Sequence, residues 1–202
     1  MAEQGNKVKL PDPSLKGGVS IEQLLVQRRS IREYPDKPLT LTEVGQLLWS
    51  AQGITDVLGL RTAPSAGALY PLELYLVVGR VEGLASGVYH YQPHQHSLLR
   101  ISDVDVQADL SEAALSQTSV AQAAAVIVFA AEYARTTKKY GKRGIRYVHI
   151  EVGHAAENLF LQAEALSLAT VVVGAFDDEI VSETLGLADE LQVLLLMPVG
   201  NK

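Results

Sequence analysis

The chain of 202 residues contains no cysteine. That single absence excludes disulfides, cysteine nucleophiles, cysteine-ligated zinc and iron–sulfur clusters. Any redox chemistry must then be carried by a bound cofactor, because no other side chain here supports reversible redox well. No segment is long and apolar enough to span a bilayer. The first seven residues, Met-Ala-Glu-Gln-Gly-Asn-Lys, hold no apolar run of the kind a signal peptide needs. The expectation is a soluble, cytoplasmic protein. Positive charge is also in short supply, with 17 Lys and Arg against 23 Asp and Glu and a formal net charge of −6. This argues against nucleic-acid binding, which needs clustered basic surface to displace counterions. Aromatics make up only 6% of the chain, and Trp49 and the tyrosines read as core or interface residues rather than a base-stacking platform. Internal repeats, low-complexity tracts and interdomain linkers are absent as well.

What is present is 48% hydrophobic content, enough for one domain with a substantial core. Residues 1–19 carry Pro11, Pro13, Gly17 and Gly18 without periodicity and read as an arm; residues 20–202 read as a single domain. Ser20-x-x-Gln23 and Thr40-x-x-Glu43 are capping boxes. The first opens a helix with Ile21, Leu24 and Leu25 on its apolar side, ending near Arg29. The second opens one with Val44, Leu47, Leu48 and Ala51, closed by Gly53. Residues 72–78 and 125–131 read as buried strands. Residues 88–91 and 97–101 read as a hairpin around Pro93-His94-Gln95-His96. An Ala-rich helical stretch covers 105–124, a long helix covers 146–168 with small residues at Gly153, Ala155 and Ala156 that allow close approach of another helix, and 170–173 and 191–199 are strand-like. Strands mixed with helices without strict alternation indicate an α+β fold.

Four local features carry chemistry. Gln27-Arg-Arg-Ser-Ile-Arg-Glu-Tyr34 gathers Arg28, Arg29 and Arg32 at the end of an amphipathic segment. Their planar donor forks suit an anion such as phosphate; alternatively, they complement the negative end of a helix dipole. Pro64-Ser-Ala-Gly-Ala68, ahead of a strand, is small and backbone-rich, and Gly67 permits close approach of a flat ring; the alternative is an ordinary turn. Gly174-Ala175-Phe176 lies between a strand and a short acidic helix starting near Asp177, where free backbone N–H groups accumulate. Lys138-Lys-Tyr-Gly-Lys-Arg-Gly144 reads as a basic loop before the long helix. No metal site is expected. His149, Glu151 and His154 fall on different faces of a helix, unlike paired zinc ligands, and read as surface or interface polar residues. His90, His94 and His96 lie on or beside the hairpin turn.

Taken together and in this order, Arg-x-Ser, Pro-Ser-x-Gly and Gly-x-Phe-Asp resemble the nitroreductase family of FMN-dependent oxidoreductases, from about Ser20 to Gly200. Ser65-Ala-Gly-Ala-Leu-Tyr-Pro71 looks most like the branch of SagB-type oxidases, which act on azoline rings in modified peptides. The resemblance implies a three-layer α/β/α sandwich with a mainly antiparallel central sheet. It also implies a homodimer with FMN at the subunit interface. Arg28, Arg29 and Ser30 would hold the phosphate and ribityl chain, and Arg32 would stand near N1 and O2 of the ring. Pro64, Ser65, Ala66, Gly67 and Ala68 would meet the pyrimidine edge. The backbone at Gly174 and Ala175 would donate to N5. Lys202 is the one basic candidate after Pro-Val-Gly, where many relatives continue with further phosphate contacts. Two departures stand out. Ala68 occupies a place where many nitroreductases carry Asn, so it has no side-chain role, and Gly-Ala replaces their Glu-Gly. The implied reaction is ping-pong transfer of hydride from NAD(P)H to a small electron-poor acceptor such as a nitroaromatic, quinone or enone. The alternatives are azoline oxidation, with Lys139 and Tyr140 as the proton-transfer pair, or a non-catalytic flavoprotein or partner subunit.

Overall fold

The computed structural model describes residues 7–202; the polar stretch 1–6 read from the sequence lies outside them. The strands are β1 (Lys7–Lys9), β2 (Leu72–Val78), β3 (Gly87–Gln92), β4 (Ser97–Ser102), β5 (Ala125–Ala131), β6 (Leu168–Thr170) and β7 (Gln192–Asn201). The α-helices are α1 (Ile21–Gln27), α2 (Leu41–Gln52), α3 (Gln107–Ala113), α4 (Thr118–Ala121), α5 (Tyr133–Tyr140), α6 (Arg143–Ala165) and α7 (Asp178–Leu185). The strands form one sheet in the order β1-β4-β3-β2-β5-β7-β6, with every pairing antiparallel.

Both capping boxes form. Ser20 Oγ accepts from Gln23 N while Gln23 Oε1 accepts from Ser20 N; Thr40 and Glu43 repeat the exchange. Each cap contributes about 1 kcal/mol by satisfying donors the helix cannot pair internally. At the sheet, the two-residue period sorts side chains into two layers. Leu74, Leu76, Ile127, Phe129 and Met197 face α2 and α6. Tyr75, Val77, Val126 and Val128 face Leu110 of α3, Val120 of α4 and Val181 of α7. The result is the expected three-layer sandwich. All seven residues of β5 are buried, which is why that strand reads as an unbroken apolar run rather than an alternating one.

Three expectations need correction. Part of the N-terminal arm belongs to the sheet: β1 pairs with β4, Leu10 is buried, and Pro11 O lies 2.9 Å from Nε2 of His96, whose Nδ1 meets the Tyr91 hydroxyl. The proline-rich composition hid a three-residue edge strand. Second, Lys138, Lys139 and Tyr140 are not in a loop but in the last turn of α5, and α6 begins directly afterwards, at Arg143. Only Thr136 of α5 is buried, so its sequence carries no apolar period. Its close seat against α6 depends on Gly144, where a Cβ would come 2.9 Å from Thr137 Cα. Third, Ala155 and Ala156, read as a face seeking another helix, are already packed in the chain's own core. No helix among the described residues is long and apolar enough to cross a membrane.

Candidate active site

The 65–70 turn is a surface element braced by three side-chain hydrogen bonds. A short 3₁₀ segment spans Ala66–Ala68. Gly67, Ala68 and Tyr70 have φ of 65°, 52° and 46°. The left-handed region suits glycine but costs roughly 1 kcal/mol or more at each of the other two. Four contacts hold this path. Ser65 Oγ accepts from Tyr70 N at 2.9 Å, and Arg135 Nη1 donates to Tyr70 O at 3.1 Å. Arg61 N donates to the Tyr70 hydroxyl at 3.2 Å, and the Arg61 guanidinium lies over the Tyr70 ring, 4.6 Å from its centroid. Arg135 is itself fixed by Glu73 at 2.6 Å and Glu132 at 2.7 Å. Burial alone would raise the Glu73 carboxyl; the His90 hydrogen bond and the Arg135 charge overcome that and hold it below the usual range.

Gly67 and Ala68 stand exposed at the crest, and α5 delivers Lys139 and Tyr140 to the same spot. A Cβ built on Gly67 would lie 2.7 Å from Tyr140 Oη and 3.0 Å from Lys139 Nζ. Lys139 Nζ is 5.4 Å from the Tyr140 ring centroid, and that ring packs edge-on against Tyr147. Residues some 70 positions apart in sequence therefore form one surface.

The arginine segment forms a second cluster. Arg28 caps α1, pairs loosely with Glu157 at 3.7 Å and covers Phe160. Arg29 turns back onto the carbonyls of Val26 and Arg28, so for this residue the helix-end alternative holds. Arg32 is exposed, with no hydrogen bond or ion pair among the described residues. Ser30 bridges in parallel to Thr170, and Ile31 N donates to Thr170 O. From there the chain leads directly to exposed Gly174 and Ala175. Gln117 Nε2 donates to Ala175 O at 2.9 Å, and Asp177 caps α7. Thus the 28–32 segment is tied to Thr170, four residues before Gly174. No hydrogen bond or ion pair among the described residues joins 28–32 or 174–175 to the 65–70 turn. Lys202 is taken up by Glu164 at 2.6 Å, which occupies the ammonium that the sequence offered to a phosphate.

Sequence reasoning missed Glu151. It is not a surface residue but 2% exposed, beneath the turn. Burial pushes its carboxyl up to about 7, opposed by the Ser65 hydroxyl and the Arg61 charge. The signal was available: Glu151 lies three residues after Val148 and four before Ala155, both fully buried, so helical spacing puts it on the core face. His149 instead meets the Tyr133 hydroxyl at the surface. Among the described residues, no group of three or more acidic or histidine side chains could hold a metal ion.

The nitroreductase family matches residues 25–201 of the sequence. This chain belongs to the nitroreductase family. A protein of Methanocaldococcus jannaschii assigned as a nitroreductase is 49% identical to this family member over 196 residues, spanning 97% of the chain and 96% of the relative. A crystal structure from Ralstonia eutropha, likewise assigned as a nitroreductase, superposes with a TM-score of 0.85 at 26% identity, covering 97% of this chain and 89% of that one. The microcin B17-processing protein McbC of Escherichia coli is 26% identical over 155 residues, 74% of this chain and 57% of McbC. The McbBCD microcin synthetase complex also contains a chain that superposes with a TM-score of 0.74 at 25% identity, covering 96% of this chain and 77% of that one. The likeness to McbC fits the SagB-type branch.

Proposed function

We propose that this nitroreductase-family oxidoreductase binds FMN and passes a hydride equivalent from NAD(P)H to a small electron-poor acceptor such as a nitroaromatic, quinone or enone. The observation that carries the reading is the 65–70 turn: rigidly braced from behind, exposed in front, and lacking a side chain at Gly67. A flat ring needs such a surface, because main-chain groups can reach its edge only where no side chain intervenes. The residues present fit FMN. Arg28 and Arg32 are the guanidinium groups free enough to bind its phosphate and to balance negative charge on the ring. Ser30 lies between them in the chain and bridges to Thr170, from which the backbone runs on to Gly174 and Ala175. FMN supplies hydride transfer at N5, chemistry that a chain without cysteine cannot supply itself.

Among the described residues no hydrogen bond or ion pair joins the arginine cluster to the 65–70 turn, which supports a site completed by a second copy. Exposed Leu25 and Val26 of α1, Val57 and Leu58 of the loop after α2, and Ile145 and Ile150 of α6 offer apolar surface for a homodimer. The decisive experiment is anaerobic titration of FMN-loaded protein with NADPH. Bleaching of the flavin absorbance followed by recovery on addition of a quinone is expected; protein that takes up no FMN refutes the reading.

A second reading has its own observation. Lys139 and Tyr140 contact the crest at Gly67, as a proton-transfer pair for azoline oxidation would need to. In that reaction they would receive the proton released from the ring carbon, and the likeness to McbC points the same way. Wild-type protein that oxidises a thiazoline peptide would favour this reading over the first.

A further inference from the structure

Behind the turn lie three buried polar atoms without a hydrogen-bond partner among the described residues: Glu151 Oε1, Arg61 Nε and Gln52 Nε2. Arg61 Nη1 is tied to Gln52 Oε1 at 2.8 Å. Glu151 is 2% exposed on α6, which packs directly against the 66–68 segment, and the Ser65 hydroxyl and the Arg61 charge are the groups that act on its carboxyl. Ser65 Oγ already accepts the Tyr70 N–H, so one lone pair and its own proton remain to be directed. If the Glu151 carboxyl is ionised, that proton points inward and the exposed side of Ser65 is an acceptor. If it is protonated, Glu151 donates to Ser65 Oγ, and the Ser65 proton is released to the exposed side.

We propose that Glu151 is a positioning residue that sets, through Ser65, whether the 65–70 turn offers a bound flavin a hydrogen-bond donor or an acceptor. The inference rests on the flavin reading above. The pyrimidine edge of a flavin presents two carbonyl oxygens around one N–H, so the donor state is the one that favours binding. A carboxyl pushed up to about 7 leaves both states accessible near neutrality. Arg61, from the segment after α2, is the charge that faces it; Arg61 is itself faced by Glu73, Tyr70 and Arg135. One turn away on α6, Tyr147 is half-buried and His154 is exposed.

The test measures FMN affinity by fluorescence titration at pH values on either side of about 7 in the wild type, Glu151→Gln and Ser65→Ala. Wild-type affinity relative to Glu151→Gln is the readout, because the FMN phosphate's own ionisation near pH ~6 affects both proteins alike. With its Oε1 turned to the Arg61 guanidinium, a glutamine amide donates to Ser65 Oγ at every pH. The two proteins should therefore match at low pH, and the wild type should bind about three- to tenfold more weakly at high pH, the worth of one hydrogen bond. Ser65→Ala should lose this dependence and remain weak throughout. Thermal melting of the FMN-free proteins supplies a readout independent of flavin. Because the folded state holds the Glu151 proton more tightly than the unfolded chain, wild-type stability should decline as pH rises from about 4.5 through about 7. Glu151→Gln should lack that part of the decline. An affinity ratio constant across pH, with FMN bound by both proteins, overturns the proposal alone. Failure of every protein to take up FMN overturns the flavin reading and this inference with it.

Discussion

Gly67→Ala offers the sharpest test of the turn. The substitution adds one methyl group to a residue at φ 65°. Holding an L-residue in the left-handed region costs about 1–2 kcal/mol. Alanine also narrows the unfolded ensemble, which returns about 0.4–1 kcal/mol to stability. The remainder is close to 1 kcal/mol, or a fall in Tm of about 2–4 °C for a domain of this size. The new Cβ would sit 2.7 Å from Tyr140 Oη and 3.0 Å from Lys139 Nζ. Both are ends of flexible side chains, so they move rather than unfold the helix, and the steric cost appears at the site rather than in the melting curve. The mutant should therefore melt slightly lower and bind FMN at least tenfold more weakly, since both the ring-facing surface and its flank are displaced. Calorimetry and fluorescence titration read the two effects separately. A mutant with unchanged Tm and unchanged FMN affinity would refute the role assigned to this turn.

Other perturbations separate the remaining parts of the site. Arg28→Ala should weaken FMN binding about tenfold, the value of a charge-assisted contact; an unaltered affinity removes Arg28 from the phosphate site. The double change Lys139→Ala, Tyr140→Phe should leave FMN content and NADPH-driven quinone reduction nearly intact if the chain is a general reductase, whereas loss of a proton-transfer pair costs roughly 10²–10⁴-fold in azoline oxidation. Comparing the two rates in one preparation decides between the readings. Leu58→Asp places a charge on exposed apolar surface and should shift light scattering from dimer toward monomer with parallel loss of bound FMN; a variant still fully dimeric would exclude this loop from the interface.

Much of the fold is legible in the sequence wherever burial imposes a period. The capping boxes at Ser20 and Thr40 locate α1 and α2, and the apolar runs at 72–78 and 125–131 locate the two central strands. Legibility fails where short or polar elements are held by tertiary contacts. β1 is recruited by the edge of β4, and α5 is amphipathic only in the sense that a single threonine is covered. At the site, the order of motifs identified the arginine segment, the small turn and the strand-to-helix junction. It did not reveal which of these touch. The apposition of Gly67 with Lys139 and Tyr140 depends on α5 folding back against α6, and no local pattern encodes that return. Glu151 was overlooked because a charged residue was assigned to the surface by type, although its spacing from Val148 and Ala155 assigned it to the core.

The backbone at Ala68 has an evolutionary consequence. Its φ of 52° lies in a region that asparagine tolerates far better than alanine, and asparagine is the residue that the family resemblance implies at this place. The main chain here thus keeps a conformation suited to a side chain it does not have, under restraint from Ser65, Arg61 and Arg135. A lineage holding that backbone can exchange alanine for asparagine without rebuilding the turn. The crest can therefore gain or lose an amide contact by point substitution while the scaffold behind it stays the same.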